Sequence, residues 1–174
     1  MAYLVISSSL NSQSRSRLLA QIAFKALEQM EVSVEWIDLA KYSIPLCDGN
    51  SAYENSQVKE LKGKIHHAQA VLIAVPIYNY YANAAAKNLI ELTGKAWSNK
   101  VVGFLCAAGG KGSYMSVMSL ANSLMLDFRC LIIPRFVYST GEAFGEGKVS
   151  DPDVEDRVNE LAKELNRICV ALQK

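Results

Sequence analysis

The sequence contains little of what secreted, membrane-spanning or metal-binding proteins require. It has four cysteines and two histidines in 174 residues, and no cysteines are spaced as a C-x-x-C pair. The longest apolar runs, residues 70–77 and 101–108, fall well short of the roughly 20 residues that cross a bilayer. We therefore expect reduced cysteines, no metal site and no association with a membrane.

The N-terminal segment lacks the basic region of a signal peptide and changes to serine after a few apolar residues. We expect it to form a buried strand in a cytoplasmic protein. Acidic and basic residues are mixed along the chain, and the formal net charge is +1. The chain has no basic stripe of the kind that nucleic-acid binding needs, so we expect no nucleic-acid partner.

Common catalytic and nucleotide-binding motifs are also missing. No G-x-G-x-x-G follows the first apolar run, and no G-x-S-x-G occurs. Leu105 stands where a Walker A loop ending at Gly110-Lys111 would need its first glycine. His66 and His67 are adjacent on a predicted helix, and no cysteine or carboxylate completes a metal-binding spacing. We expect neither a catalytic constellation of side chains nor metal ligands.

Five β-rich runs alternate with helical patterns at intervals of roughly 30 to 40 residues, the length of a βα unit. The runs cover residues 3–7, 32–37, 70–76, 101–107 and 130–134. The first, third and fourth are almost continuously apolar, as parallel strands covered on both faces are. The pattern predicts one α/β domain, residues 1–174, in which helices cover both faces of a five-stranded parallel sheet of order 2-1-3-4-5.

In that strand order the topological switch point lies between the first and third strands. Ligands of open α/β sheets bind there, beyond the carboxyl ends of the strands. The segments that follow strands one, three and four are therefore the candidates for a binding site. The last helix is predicted to begin at Ser150-Asp151-Pro152, where a capping residue precedes a proline.

The first loop, residues 7–16, contains six serines together with Asn11 and Arg15. It joins a buried strand to a helix start, where free N–H groups and the helix dipole attract a phosphate. Serine hydroxyls can donate further hydrogen bonds, and an arginine can add charge-assisted ones. The alternative is a polar turn that only caps the helix, because serine is a favoured capping residue.

Two further segments follow the third and fourth strands. The tyrosine segment, residues 76–81, has three tyrosines in four positions, and their rings offer a flat surface for a planar heterocycle. These tyrosines could instead cover a helix end or form a subunit contact. The glycine loop, residues 107–113, has three glycines in four positions, which lets backbone approach a ligand closely or simply form a tight turn. Together the three segments predict a site for a mononucleotide with a planar ring, which is FMN.

The same residues resemble the NAD(P)H-dependent FMN reductase family of flavodoxin-like proteins, which includes quinone, azo-dye and chromate reductases. The run Pro76-Ile77-Tyr78-Asn79-Tyr80 is similar to the family's P-x-Y-N-x, and Lys87-Asn88-Leu89-Ile90-Glu91 to its L-K-N-x-I-D. The glycine loop and Pro134 then follow in the family's order. In the first loop, Ser8 stands where the family has glycine and Asn11 where it has arginine.

The resemblance implies a flavodoxin-like three-layer sandwich with FMN at the switch point. It implies contacts to the FMN phosphate from Ser9, Asn11, Ser14, Arg15 and Ser16. It implies contacts to the isoalloxazine ring from Pro76, Ile77, Tyr78 and Asn79, with Gly109 and Gly110 beneath the ring. It also implies chemistry carried by FMN rather than by a catalytic side chain.

The function that follows is an NAD(P)H-dependent reductase, in which hydride passes from NADPH or NADH through FMN to a small-molecule acceptor. That acceptor would be a quinone, an azo compound, a metal ion or free flavin. An electron-carrier flavodoxin is one alternative, which the net charge near zero disfavours because such carriers are usually strongly acidic. A hydrolase or transferase on the same fold is another, disfavoured by the missing nucleophile and base. Arg15 and Arg17 are candidates for contacting the 2′-phosphate of NADPH.

We also expect a homodimer or homotetramer, as the family resemblance implies. The aromatic residues Trp97, Phe136, Tyr138 and Phe144 point the same way, because a monomer that exposed them would carry an unusually large apolar surface.

Overall fold

Strands and helices alternate along residues 2–172, the part of the chain that the computed structural model describes. Within that part the strands are β1 Ala2–Ser7, β2 Ser33–Asp38, β3 Ala70–Tyr78, β4 Tyr81–Ala82, β5 Val101–Ala107, β6 Leu131–Ile132, β7 Val137–Ser139, β8 Phe144–Gly145 and β9 Lys148–Val149. The α-helices are α1 Arg15–Glu28, α2 Ser56–His67, α3 Ala84–Thr93, α4 Met118–Phe128 and α5 Pro152–Ala171. Among the short 3-10 segments, Lys111–Val117 leads into α4.

The main sheet is parallel in the order β2-β1-β3-β5-β6. β4 is a short antiparallel extension of β3, so the five parallel strands of this path follow the order 2-1-3-4-5, and the prediction is confirmed. Val5 at the centre of β1 pairs with Trp36 of β2 and with Leu72 of β3. The carboxyl ends of β1, β3 and β5 therefore meet at one edge of the sheet.

The prediction of one continuous fifth strand over residues 130–134 is wrong. Two short strands share that side of the sheet: Leu131 of β6 pairs with Val101, and Val137 of β7 pairs with Leu105. Between them, Pro134 has no N–H to donate and Arg135 adopts a left-handed φ of 59°, so the chain leaves the ladder and rejoins it. As a result β7 ends beside the glycine loop.

Both faces of the sheet are buried, which is why its strands are so apolar. Leu4 and Ile6 of β1 pack on one face with side chains of α2, α3 and α4. Tyr3 and Val5 pack on the opposite face with side chains of α1 and α5. Helices thus cover both faces, as predicted. Because neither face is exposed to solvent, consecutive strand residues can all be apolar.

The aromatic residues expected to be exposed in a monomer are buried or partly buried within the chain. Trp97 is fully buried, and its Nε1 donates to Thr93 Oγ1 over 2.8 Å. Tyr138 is 8% exposed, and Phe136 and Phe144 pack against the core. The argument for an oligomer from these residues is therefore wrong, because each finds its apolar contacts inside its own chain. The homodimer or homotetramer itself stays a prediction.

The start of α5 agrees with the sequence. Asp151 caps the helix by accepting a hydrogen bond of 3.0 Å from the N–H of Asp153, and Pro152 occupies the first turn. Cys106, Cys130 and Cys169 are buried and unbridged, as core residues of a reduced protein are. Within residues 2–172, every helix is too short or too polar to span a bilayer.

Candidate functional site

A cavity of about 900 Å³ opens at the carboxyl edge of the sheet, where β1, β3 and β5 end. Its size is within the usual range for sites that hold a cofactor. Ten of the eleven predicted site residues line it: Ser9, Asn11, Ser14, Arg15, Ser16, Pro76, Ile77, Tyr78, Asn79 and Gly109. Gly110, the eleventh, lies outside the cavity lining as the structure describes it. The topology therefore brings the three predicted segments to one place.

The serines of the first loop lie at the N-terminus of α1. Ser14 is the capping residue, and its Oγ accepts a hydrogen bond of 3.3 Å from the N–H of Arg17. Ser14 Oγ also lies 2.9 Å from Ser16 Oγ, and both side chains are buried at the cavity wall. Ser9 is buried too, with its Oγ accepting from the N–H of Asn11 at 3.3 Å. The loop thus caps the helix and lines the cavity at once, so the two interpretations of it are compatible.

Arg17 holds the first loop in place and does not line the cavity as described for residues 2–172. Its guanidinium forms two hydrogen bonds of 3.0 Å with the carboxylate of Asp38 at the end of β2. The same group donates to the backbone carbonyls of Ser9, Asn11 and Ser12 over 2.6–3.2 Å. With its donors used in this way, Arg17 is unsuited to a 2′-phosphate, and that expectation is wrong. This role could not be predicted from sequence, because Asp38 lies 21 residues away.

A second set of hydrogen bonds joins the first loop to the start of α3. Ser8 Oγ lies 2.8 Å from the carbonyl oxygen of Ala74 and 2.8 Å from Asn83 Oδ1. Asn83 Nδ2 donates to the carbonyl oxygen of Ser8 over 2.9 Å. Both side chains are buried, so Ser8 is a structural residue that fixes where the loop leaves β1. Asn83 was missed from sequence because an asparagine before a helix is most simply explained as a cap.

Arg15 supplies positive charge at the rim of the cavity. Its guanidinium carbon lies 5.8 Å from the centre of the Phe144 ring, within cation–π range. Among the ion pairs found within residues 2–172, none involves Arg15. Its charge therefore remains available to an anion at the start of α1.

The tyrosine segment is a hairpin rather than the loop expected from sequence. Strand β3 continues through Tyr78, the chain turns at Asn79 and Tyr80, and Tyr81 pairs back with Tyr78. Asn79 and Tyr80 have φ values of 50° and 62°, the left-handed pair that a tight type I′ hairpin requires. The turn leaves Tyr78 55% exposed, with its side chain at the cavity. A ligand ring would therefore contact a hairpin whose conformation is fixed by the backbone pairing of Tyr78 with Tyr81.

The run Lys87-Asn88-Leu89-Ile90-Glu91 lies in the middle of α3 and away from the lining residues described above. Asn88 is buried, donates to the carbonyl oxygen of Pro45 over 2.9 Å and accepts from the N–H of Cys47 over 2.8 Å. In this chain Asn88 therefore connects the segment that follows β2 to α3 by hydrogen bonds.

Gly109 offers space that the chain itself does not use. Its φ lies outside the left-handed region, and a Cβ added there would meet no heavy atom of the described residues within 4 Å. Neither backbone conformation nor internal packing therefore requires glycine at this position of the cavity wall. The open space beside Gly109 leaves room for a ligand to approach the backbone closely. The residues present fit a planar group lying against the glycine loop.

Sequence reasoning also missed lining residues that carry no motif. These residues are Gln13, Ala107, Ala108 and Ser113, and Tyr80 of the predicted tyrosine segment completes the cavity wall. Ala107 and Ala108 are small residues at the end of a buried strand, a pattern equally typical of plain packing. Gln13 and Ser113 stood within predicted loops but gave no reason to be preferred to their neighbours.

The thiol nearest the cavity is unsuited to nucleophilic chemistry. Cys106 lies on β5 one residue before the lining, and it is fully buried. Burial raises the pKa of this thiol because an apolar surrounding disfavours the thiolate. Within residues 2–172, no three histidine, cysteine or acidic side chains lie close enough together to hold a metal ion. What the cavity offers is shape, serine hydroxyls, backbone and an arginine.

Comparison with known proteins gives a consistent family. Residues 1–145 match the family model described as NADPH-dependent FMN reductase. An NADPH azoreductase of Bacillus sp. (strain OY1-2) is 25% identical over 167 residues, which cover 95% of this chain and 90% of the azoreductase. An FMN-dependent NADH:quinone oxidoreductase of Bordetella petrii is 28% identical, with 84% of this chain and 87% of the relative covered.

Solved structures extend the likeness to the fold. RosB, crystallised with the intermediate 8-demethyl-8-formylriboflavin-5′-phosphate, has a TM-score of 0.83 at 19% identity and covers 99% of this chain and 80% of RosB. An archaeal flavodoxin has a TM-score of 0.64 at 13% identity and covers 95% of this chain and 99% of the flavodoxin. The fold is therefore flavodoxin-like, as expected from the sequence.

Proposed function

We propose that this chain, which belongs to the NADPH-dependent FMN reductase family, binds FMN in the cavity described above and passes hydride from NADPH or NADH to a small-molecule acceptor. The family makes it an NAD(P)H-dependent flavin oxidoreductase with FMN as its cofactor. The observation that carries the proposal is that three sequence-distant segments meet in one cavity. Each supplies what a different part of FMN requires.

The phosphate group of bound FMN would lie at the start of α1. The N–H groups of the first turn carry partial positive charge, and a phosphate is stabilised there by the helix dipole. Ser9, Ser14 and Ser16 place hydroxyls at that end of the cavity, and Arg15 adds a charge. Because Arg17 and Asp38 fix the loop backbone, these groups are aligned before a ligand arrives.

The ring end would lie between the hairpin and the glycine loop. Tyr78 and Ile77 offer apolar surface on one side, and Gly109 leaves room on the other. Bound FMN would supply the redox step itself, by accepting a hydride and giving it up again. What remains for this chain is to hold the ring, orient it and leave one side open. No tuned side-chain acid or base is needed for those tasks.

The acceptor would be a quinone, an azo compound, a metal ion or free flavin, and the first two are supported by the named activities of the relatives. We place the enzyme in the cytoplasm, because its four cysteines are all free. The exposed rings of Tyr78 and Tyr80 at the mouth of the cavity favour flat aromatic acceptors, which can stack on them.

Anaerobic reduction of the purified holoprotein tests the proposal. Protein reconstituted with one equivalent of FMN should lose its oxidised-flavin absorbance when NADPH or NADH is added. Absorbance should return when a quinone or an azo dye follows. Flavin that binds but resists both nicotinamides would favour an electron carrier instead. A chain that takes up no FMN would overturn the proposal.

FMN should bind at least about a hundredfold more tightly than riboflavin, because charge-assisted hydrogen bonds to the phosphate contribute about 1.5–3 kcal/mol each. Quenching of flavin fluorescence on titration with apoprotein measures both affinities. Raising the salt concentration should narrow the difference, since part of it is electrostatic. Equal affinities for the two flavins would mean that the first loop does not hold the phosphate.

A further inference from the structure

Tyr138 connects the edge of the sheet to the glycine loop. It lies on β7, opposite Cys106 of β5, and is 8% exposed. Its hydroxyl donates a short hydrogen bond to the carbonyl oxygen of Gly110 and lies 2.8 Å from Ser113 Oγ. Both partners belong to the glycine loop, residues 107–113, whose Gly109 and Ser113 line the cavity.

The direction of these hydrogen bonds follows from the groups involved. A carbonyl oxygen only accepts, so the single hydroxyl proton of Tyr138 goes to Gly110. Ser113 Oγ must then be the donor to the tyrosine oxygen. The Tyr138 hydroxyl thus donates one hydrogen bond to Gly110 and accepts another from Ser113, three residues further along the loop. Removing that oxygen alone would release both.

The ring of Tyr138 is itself held firmly. It meets the ring of Tyr114 edge-on, with centroids 5.4 Å apart and planes inclined by 68°. Tyr114 in turn stacks on Phe136, at 4.9 Å and 29°. Because β7 pairs with β5 and the Tyr138 ring packs against that of Tyr114, the hydroxyl is fixed relative to the sheet. The two hydrogen bonds of this hydroxyl therefore hold the glycine loop relative to the sheet.

The glycine loop has few side-chain contacts of its own that could fix its conformation. Gly109 and Gly110 have no side chains, and Cβ atoms placed on them would meet no atom of the described residues within 4 Å. Gly110 is extended, with φ −157° and ψ 174°, and regular helix begins only after it. A peptide unit is planar, with its carbonyl and N–H pointing in opposite directions. Fixing the carbonyl of Gly110 therefore fixes the N–H of Lys111.

We propose that Tyr138 is a positioning residue that sets the orientation of the glycine loop and thereby the reduction potential of bound FMN. The proposal rests on the function proposed above and adds a residue outside the cavity lining. Backbone N–H groups that are aligned in advance stabilise developing negative charge better than groups that must reorient. A loop freed from Tyr138 would still accept the oxidised ring but would favour the reduced ring less.

Substitution of the hydroxyl alone tests the proposal. Tyr138→Phe keeps the ring packing. Tyr42→Phe is the matched control, because Tyr42 follows β2 at the opposite edge of the sheet and donates its hydroxyl to Glu60 over 3.1 Å. Equilibration with redox dyes should give Tyr138→Phe a tenfold weaker preference for reduced over oxidised FMN. For a two-electron couple that is a potential about 30 mV more negative. Tyr42→Phe should keep the wild-type potential.

Hydrogen exchange on apoprotein gives a readout that needs no FMN. Amides of residues 109–113 should exchange faster in Tyr138→Phe than in wild type, and no faster in Tyr42→Phe. Wild-type potential together with wild-type exchange in Tyr138→Phe would overturn the proposal. If Tyr138→Phe does not fold, Tyr138→Leu removes the same hydroxyl, and wild-type potential together with wild-type exchange in that variant would overturn the proposal equally.

If the proposed function is wrong, the experiments give a different result. Wild-type protein would then not bind FMN, or its flavin would not bleach with nicotinamide, whatever happens in the variants. The exchange comparison on apoprotein would still decide whether Tyr138 holds the loop.

Discussion

Replacement of Arg17 by alanine should lower the affinity for FMN at least about a hundredfold and destabilise the apoprotein by about 3 kcal/mol. The stability loss follows from the ion pair with Asp38, whose side chains are only 12% and 9% exposed. Removing one partner leaves a carboxylate mostly buried without its cation, which typically costs about 3–5 kcal/mol. We expect the lower end of that range, because the pair lies near the surface.

The loss of FMN affinity has a separate cause. Arg17 fixes the carbonyls of Ser9, Asn11 and Ser12, so without it the first loop is free to move. Binding would then have to order these residues, at about 1–2 kcal/mol each. Two such residues already account for about a hundredfold. Arg17→Lys should recover little, because an ammonium cannot reproduce the planar fork that faces Asp38 and the carbonyls together.

Denaturant unfolding of the apoprotein and fluorescence titration with FMN measure the two effects. Arg157→Ala is the matched control, because Arg157 is an exposed arginine of α5 whose Nε donates to the carbonyl of Asp153 at 3.3 Å. It should change neither quantity appreciably. An Arg17→Ala protein that unfolds earlier but binds FMN normally would show that the loop keeps its shape without the guanidinium.

Substitution of Gly109 by leucine should abolish most FMN binding and leave the fold intact. Because a Cβ at this position meets no heavy atom of the described residues within 4 Å, the new side chain begins in open space, and we expect the apoprotein to fold as before. A ligand ring in that space would have to shift or leave. Overfilling a packed site costs about 1–3 kcal/mol or more, and the upper part of that range is about a hundredfold. Residual bound flavin should also be reduced slowly, because a displacement of about 1 Å can lower the rate roughly a hundredfold.

Gly63→Leu provides the control. Gly63 lies on α2, a Cβ there also meets no described atom within 4 Å, and the position is remote from the cavity. Leucine should even favour this helix by several tenths of a kcal/mol relative to glycine. Thermal melts of the two apoproteins and FMN titrations complete the comparison. Normal FMN affinity in Gly109→Leu would place the ring elsewhere in the cavity.

The central strands were predictable because they are buried on both faces. Val5 and Ile6 point to opposite sides of the sheet, yet both are apolar, which only a covered parallel strand requires. The regular spacing of such runs predicts their order, since right-handed crossovers leave few alternatives. The edge strand was harder, because Pro134 and Arg135 interrupt it and a short apolar run does not indicate where pairing stops.

The tyrosine segment shows a similar limit. Its composition indicated a ring-binding surface but not a hairpin, because neither Asn79 nor Tyr80 is the glycine that usually marks a left-handed turn. Pairing of Tyr78 with Tyr81 selects that backbone, and pairing depends on where β3 ends in the folded sheet.

The fold and the edge of the sheet where the cavity lies could be predicted from local pattern: apolar periodicity, serines at a helix start and glycines after a strand. The resemblance to a known family added ten of the residues that line the cavity. Three contacts became visible only in the folded chain: Arg17 with Asp38, Asn83 with Ser8, and Tyr138 with Gly110. Each of these contacts joins residues 21 or more positions apart, which meet only because the sheet brings their strands side by side. No local pattern distinguishes such an arginine, asparagine or tyrosine from one that faces solvent or simply fills the core.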